Sequence, residues 1–412
     1  MRWFLCCLSV LSCQAQRELP PEILTLGRIK TKMAQNLGSL PNYTCGETIE
    51  RSVKMPRERK PKLIDTVRLE VALVDGRELF GWPGSNRIAE SELSTLVGGT
   101  IGNGDFGLHA SSVFLSSSSV FTHRGVAQLD GQPAERYEYR VSALNSGYRL
   151  RTGNNEALVG YHGDFWVNPL TLDLMRLSLV ADEIPEILGL SLVTNQLDYQ
   201  RIRIGNGEFL LPLGGDLTLT DYSGTEHRNR TRFENCRQYS GESVLSFAEP
   251  SEEAPAPTAA EIVAVDLPED FRVDLSLLTI IDSNRTAVGD PVKLRVEQNV
   301  KAGRAVVIPK GALVAGRISQ LQRRDRFFTL EIALQTLDFP GNHAELGARF
   351  NHLAMVATTP ARGNQGRGRL PGPLGPEAEK SDRPLVMETD RLRLYRGFLF
   401  HWHSRLLKSE KQ

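Results

Sequence analysis

The sequence predicts a mainly β chain of the α+β class. It reads as one N-terminal helix, a large antiparallel meander with a helical insertion, and a smaller C-terminal β unit. Three observations carry this. Apolar residues recur with period two over most of the 412 residues, the mark of strands with one buried face. Turn-forming pairs such as Asp75-Gly76, Asp130-Gly131 and Asn206-Gly207 punctuate those runs at short intervals. Only one long segment shows a helical period instead: Leu26, Ile29, Met33, Leu37 and Leu40 form a single stripe.

The helix opens after Pro20-Pro21, where a missing N–H costs nothing, and closes near Gly38 and Pro41. Its stripe predicts packing on a sheet. Strands follow at 43–53 and 64–74 around a basic turn, then at 78–82. Helical spacing returns at 89–97 and 105–115, joined by the Gly-rich stretch 98–107, which reads as a turn. From Val120 to Phe247 the pattern is strand after strand. Tyr137, Tyr139 and Val141 alternate with charged or polar residues, as do Leu177 and Leu179, Leu217 and Leu219, and His227, Asn229 and Thr231.

An acidic, Pro/Ala-rich stretch, 248–266, reads as a linker. Beyond it, 267–405 carries short strands at 273–281, 291–297, 305–308, 313–322, 327–337 and 391–405. Within this unit 359–384 is rich in Pro, Gly and Arg, too polar to order itself, and reads as a flexible loop. Residues 406–412 are a tail.

Composition excludes some roles. Lys+Arg and Asp+Glu stand at 49 each, so no net field draws nucleic acid or an anionic membrane. No stretch after the start has the apolar length of a transmembrane helix. The first 15 residues read as a signal peptide: Arg2, an apolar run from Trp3 to Leu11, then a cleavage position at Ala15/Gln16. An alternative takes Val10–Cys13 as a lipobox with Cys13 lipidated. Export leaves Cys45 and Cys236 as an even pair in an oxidising compartment, where a disulfide is expected over two separate buried thiols. It would close a loop of about 190 residues, stabilising by at most roughly 5 kcal/mol.

Catalytic signals are thin. The mature chain has no Gly-x-Ser-x-Gly, His-Glu-x-x-His or Cys-x-x-Cys. His401 and His403 share a strand face but lack a third ligand, so they read as exposed strand residues. His109 with Asp105 four residues earlier reads as a helix-surface pair. No catalytic residue, metal site or cofactor is expected. Arg228, Arg230 and Arg232 form a basic stripe on one strand face, a solvated face or a docking stripe for an acidic partner.

Two resemblances follow. Leu40-Pro-Asn-Tyr-Thr-Cys45, Thr48-Ile-Glu-Arg51, Gly163-Asp-Phe-Trp166-Val-Asn-Pro169 and Asn235-Cys-Arg-Gln-Tyr239 resemble an exported acidobacterial family without assigned activity. The helix, meander and helical insertion over 16–247 resemble a LolA/LolB-like open half-barrel, which binds acyl chains or lipoproteins. Ala287-Val-Gly-Asp-Pro-Val292, Val307-Ile-Pro-Lys-Gly-Ala312, Val314-Ala-Gly316 and Leu394-Tyr-Arg-Gly397 resemble the C-terminal β-barrel of TrbI-like type IV secretion proteins. The resemblances imply a non-enzymatic exported protein of the periplasm or outer membrane. It would bind a lipid, a lipoprotein acyl chain or an envelope protein partner through the first β unit. The alternatives are a purely structural assembly module and a hydrolase with an unrecognised site.

Overall fold

The protein's computed structural model describes residues 19–84, 101–102, 105–239, 272–302, 304–346, 354–357 and 385–403. The signal peptide, its cleavage and lipidation positions Cys13, Ala15 and Gln16, the helix expected at 89–97, the linker and the Pro/Gly/Arg-rich loop lie outside these residues.

Helix α1, Pro21–Ser39, places Pro21 in its first turn. Strands β1 (Tyr43–Lys54), β2 (Lys62–Val74) and β3 (Arg77–Gly81) follow. Next come β4 (Ile101–Gly102), helix α2 (Leu108–Phe114), β5 (Val120–Leu129), β6 (Gln132–Val141) and helix α3 (Ala143–Ser146). Then come β7 (Arg149–Thr152), β8 (Asn155–Leu158), β9 (Gly160–Val167), β10 (Leu174–Asp182), β11 (Leu190–Ile204), β12 (Gly207–Asp221) and β13 (Glu226–Gln238). Among the described residues, ten of these strands form one antiparallel half-barrel sheet in the order β3-β2-β1-β13-β12-β11-β10-β9-β6-β5. The meander therefore brings its last long strand, β13, beside its first, β1. Strands β4, β7 and β8 make a separate small sheet. The Gly-rich stretch is thus not purely a turn: Ile101 and Gly102 pair with Arg151 and Leu150.

The apolar stripe of α1 packs on this sheet. Ile29 and Met33 are fully buried, in one core with Tyr137, Phe165 and Leu177. Each contributes roughly 1.5–3 kcal/mol of apolar burial. Asn36 anchors the helix further: its Nδ2 donates to the Leu210 carbonyl at 3.0 Å, and its Oδ1 accepts from the Leu210 N–H at 2.9 Å. The two bonds satisfy backbone that the β12–β13 ladder, which runs from Gly214 to Thr220 on the β12 side, does not reach.

The C-terminal part builds a second sheet from β14 (Arg272–Leu277), β16 (Pro291–Val296), β19 (Leu313–Arg324), β20 (Phe327–Phe339), β21 (Asn342–Glu345), β22 (Ala354–Ala357), β23 (Leu385–Glu388) and β25 (Leu399–His403). The order is β21-β20-β19-β16-β14-β25-β22, with β23 also on β20. Short pairs β15 (Ile281–Asp282) with β24 (Arg393–Leu394), and β17 (Val300–Ala302) with β18 (Ala305–Ile308), flank it. The strand expected over 391–405 is broken into β24 and β25 by a turn at Gly397, whose φ is +84°. Phe400 and Trp402 point into the core, and His401 takes the other face.

Candidate ligand-binding cleft

The alternation of β1 sends Tyr43, Cys45, Glu47 and Ile49 to the inner face of the half-barrel, with Val67, Leu69 and Val71 of β2 opposite them. Rings continue this surface. Tyr43 packs on Phe106 with centroids 4.9 Å apart, and Phe106 on Phe233 at 5.0 Å. Phe165 stacks on Tyr137 at 5.1 Å and meets Phe114 of α2 edge-on at 5.1 Å. Helices α1 and α2 pack in one core with the Tyr137 and Phe165 rings.

Polar groups gather within the same interior, His109 and Glu47 buried and Asp105 and Glu78 partly so. Asp105 precedes α2, and its Oδ1 accepts from Asn195 Nδ2 at 2.6 Å and lies 3.7 Å from His109 Nε2. His109 is buried between Tyr148 and Tyr161, its ring 4.8 Å and 5.6 Å from theirs. This corrects the surface-pair expectation: Asp105 lies before the helix, and His109 faces the core. Glu78 Oε1 accepts the N–H groups of Gly107 and Leu108 at 2.8 and 3.2 Å, holding the start of α2. Burial pushes the Asp105 carboxyl up to about 7 against the Asn195 hydrogen bond, with Glu78 adding to the rise. Burial also holds His109 down at about 3 and lifts Glu47 well above the usual carboxylate range, with Asp105 and Glu78 adding to the lift on Glu47. Glu47 Oε2, His109 Nε2 and Asn195 Oδ1 are buried without a hydrogen-bond partner.

An open site lies where β1, β2 and β13 meet the second sheet. Among the described residues, strand β3 pairs with Glu70–Val74 of β2. Farther along that edge Thr66–Arg68 are met by a strap from the C-terminal part. The Val288 N–H donates to Thr66 O at 2.8 Å, and the Arg68 N–H donates to Val288 O at 2.8 Å, a parallel bridge. On its other side the strap holds β19: Gly289 N–H to Ile318 O at 2.8 Å and Ile318 N–H to Asp290 O at 2.9 Å. Arg68 grips Asp290 through Nη1 at 2.8 and 2.6 Å, and the Arg317 guanidinium covers the Trp82 ring at 5.1 Å. Gly289 has φ +97°, and an added Cβ would lie 2.3 Å from Arg68 O, so only glycine fits.

Beyond the strap a cleft of about 1760 Å³ opens between β2 and the β19–β20 hairpin. Its inner end holds Arg51, which binds Asp65 in a bidentate pair, Nε–Oδ1 2.7 Å and Nη2–Oδ2 2.6 Å. Its walls expose apolar side chains, Met55 at 50%, Leu63 at 51% and Phe327 at 40%. Lys62, Arg323, Arg324 and Arg326 stand beside them. Lys62 reaches Glu58 at 2.6 Å and Arg326 reaches Glu388 at 3.0 Å. Arg324 is exposed and has no ion-pair partner among the described residues. Glu58, Asp325 and Glu331 also line the cleft, and the exposed apolar walls beside the Arg324 guanidinium suit an amphipathic ligand with an anionic end.

The residues singled out in the sequence fall elsewhere. Cys45 and Cys236 are joined by a disulfide between β1 and β13. The ladder there runs from Thr44↔Arg237 to Gly46↔Glu234, so Cys45 opposes two residues, and Asn235 takes up the bulge with φ +54°. The arginine stripe is a row of cross-strand ion pairs. Arg228 Nε donates to Asp216 Oδ1 at 2.6 Å, Arg230 lies 3.7 Å from Asp216, and Arg232 lies 3.7 Å from Glu50. His401 Nδ1 is 2.5 Å from Asp274 Oδ1 on the neighbouring strand. The cleft residues Leu63, Arg324 and Phe327 were not foreseen. The one sequence signal near them is Gly289, flanked by Val288 and Asp290 in the second unit.

No protein-family profile matches the chain. No curated protein matches it. Solved structures do. A domain from Vibrio parahaemolyticus, described as an outer membrane lipoprotein-sorting protein, aligns at 12% identity over 53% of this chain and 92% of its own, with a TM-score of 0.28. A DUF1329 family protein from Desulfovibrio piger aligns at 13% identity over 55% and 96%, with a TM-score of 0.30. The LolA superfamily protein NE2245 from Nitrosomonas europaea aligns at 10% identity over 52% and 94%, with a TM-score of 0.27.

Proposed function

We propose that this is an exported cell-envelope protein that binds, without transforming, an amphipathic ligand with an apolar chain: a lipid or the acyl chain of a lipoprotein. The observation that carries the reading is the cleft, where Met55, Leu63 and Phe327 stay exposed beside Lys62 and Arg324. Isolated exposed apolar residues are ordinary, but several on the walls of one concavity signal a ligand. The inner face of the half-barrel is occupied by its own rings and by α1, so the ligand enters at the junction of the two sheets. The Cys45–Cys236 bridge supports the export reading, because such bonds persist in oxidising compartments. No helix among the described residues is long and apolar enough to cross a membrane. In this reading 1–15 is a leader, cut at Ala15/Gln16 or replaced by a lipid on Cys13. Residues 16–247 are the ligand-binding unit of the exported acidobacterial family, and 267–405 a TrbI-like module docked on it.

The test is titration of the purified chain with a fluorescent long-chain fatty acid, dansyl-undecanoate. Saturable binding is expected, weakened roughly ten-fold by Leu63→Asp, which sets a charge against the chain. Absence of saturable binding, or equal binding by the variant, would refute the reading.

A further inference from the structure

The cleft is bounded by two unused strand edges. On β2, Glu70–Val74 pair with β3 and Val288 bridges at Thr66–Arg68, while Lys62–Asp65 have no ladder partner on the outer side among the described residues. On β19, Leu313–Arg317 pair with β16 and the strap holds Ile318. Ser319–Arg324 then run on with no partner on that side among the described residues. Both edges line the cleft. Between them the strap passes as a turn, closed by the Asp290 N–H to Ala287 O at 3.2 Å, with Val288 bonded to β2 and Gly289 and Asp290 bonded to β19.

The strap does not extend further along this line. The N–H groups of Arg285 and Thr286 both donate to Asp282 O, at 2.8 and 2.7 Å, and this turn carries the chain aside. Among the described residues the position beside Lys62–Asp65 is left open, with Ser283, Asn284 and Thr286 at its end. A bare strand edge is a template for pairing with another chain.

We infer that this slot accepts an extended polypeptide segment of a partner protein, which adds as a strand to the outer edge of β2 at Lys62–Asp65 and carries apolar side chains alternating with acidic ones. Period two would place alternate side chains against Leu63 and Met55, and the acidic ones toward Lys62 and Arg324. The inference rests on the cleft being the binding site proposed above and names the partner it takes; a lipid-bearing polypeptide would present both chemistries to one cleft.

The probe is an acetylated, amidated eight-residue peptide alternating Val and Glu, fluorescently labelled and followed by anisotropy against the full chain. Saturable binding is expected. N-methylation of one alternate set of residues should weaken it roughly ten-fold or more by removing the N–H groups that face β2, and methylation of the other set should weaken it less. The matching Val/Lys peptide should bind poorly, and Arg324→Glu, an exposed site that leaves the fold intact, should reverse that preference. No binding, indifference to which set is methylated, or an unchanged charge preference in Arg324→Glu would overturn the inference. So would a dimer of the chain that Arg324→Glu disperses, since a second copy would then own the slot. Dansyl-undecanoate run beside the peptide separates the two ideas. Acyl binding without peptide binding sinks the strand slot alone, and peptide binding without acyl binding sinks the lipid reading alone.

Discussion

Replacing Asp105 with Asn should stabilise the protein, and the gain should depend on pH. Burial raises this carboxyl from its ordinary 3.8 to about 7, a shift worth roughly 4 kcal/mol. The sign follows from proton binding. Between those values the folded protein holds a proton that the unfolded chain has released, so stability falls as pH rises and levels off above about 7. Asp105→Asn removes that loss while its amide oxygen still accepts from Asn195 Nδ2. The variant should therefore match the wild type near pH 4 and gain about 1.4 kcal/mol per pH unit above it, until the wild-type carboxyl has fully ionised. Glu47 and Glu78 face the same interior and His109 stays neutral there, but all three are common to both proteins and largely cancel in the difference. Urea unfolding of both proteins, disulfide intact, at pH 4.5, 6 and 8 measures it. A difference independent of pH, or a variant less stable than wild type at pH 8, would show that Asp105 is not held in a site hostile to its charge.

Two further outcomes are expected. Gly289→Ala should destabilise by roughly 2–3 kcal/mol, since its Cβ would strike Arg68 O and the Trp82 ring. Gly311→Ala has a similar φ of +89° but open space around it, and should cost only about 1–2 kcal/mol. Equal costs in thermal unfolding would mean the strap does not lie tight on β2. The double variant Cys45→Ala/Cys236→Ala should lose roughly 2–5 kcal/mol in non-reducing denaturation, and a loss under about 1 kcal/mol would mean the wide loop between β1 and β13 gains little from being tied.

Much of the fold was legible in the residues. The runs 43–53 and 64–74 mark β1 and β2 within a residue or two, and the period two of the second follows from a face buried from Asp65 to Val71. The α1 stripe marks its packing face for the same reason, with Ile29 and Met33 at its centre. His109 was misplaced because a pattern of i and i+4 does not reveal which helix face meets a core. The helix starts only at Leu108, and the turn before it folds Asp105 inward. The arginine stripe was visible, but its partners Asp216 and Glu50 lie on neighbouring strands, so their proximity depends on register across the sheet.

By itself the sequence determined the class of the fold and the faces of most strands, since local alternation and turn chemistry decide them residue by residue. It also supplied the two cysteines that the return of β13 to β1 brings together. The cleft belongs to the tertiary structure alone. Leu63 and Phe327 are ordinary strand residues until the Val288–Asp290 strap sets β2 against β19. That juxtaposition joins edges more than 200 residues apart, as the Arg68–Asp290 pair at a separation of 222 illustrates. Hydrogen bonds between such distant segments leave no periodic trace in either one, which is why the edge left open beside Lys62 could be read only from the assembled sheets.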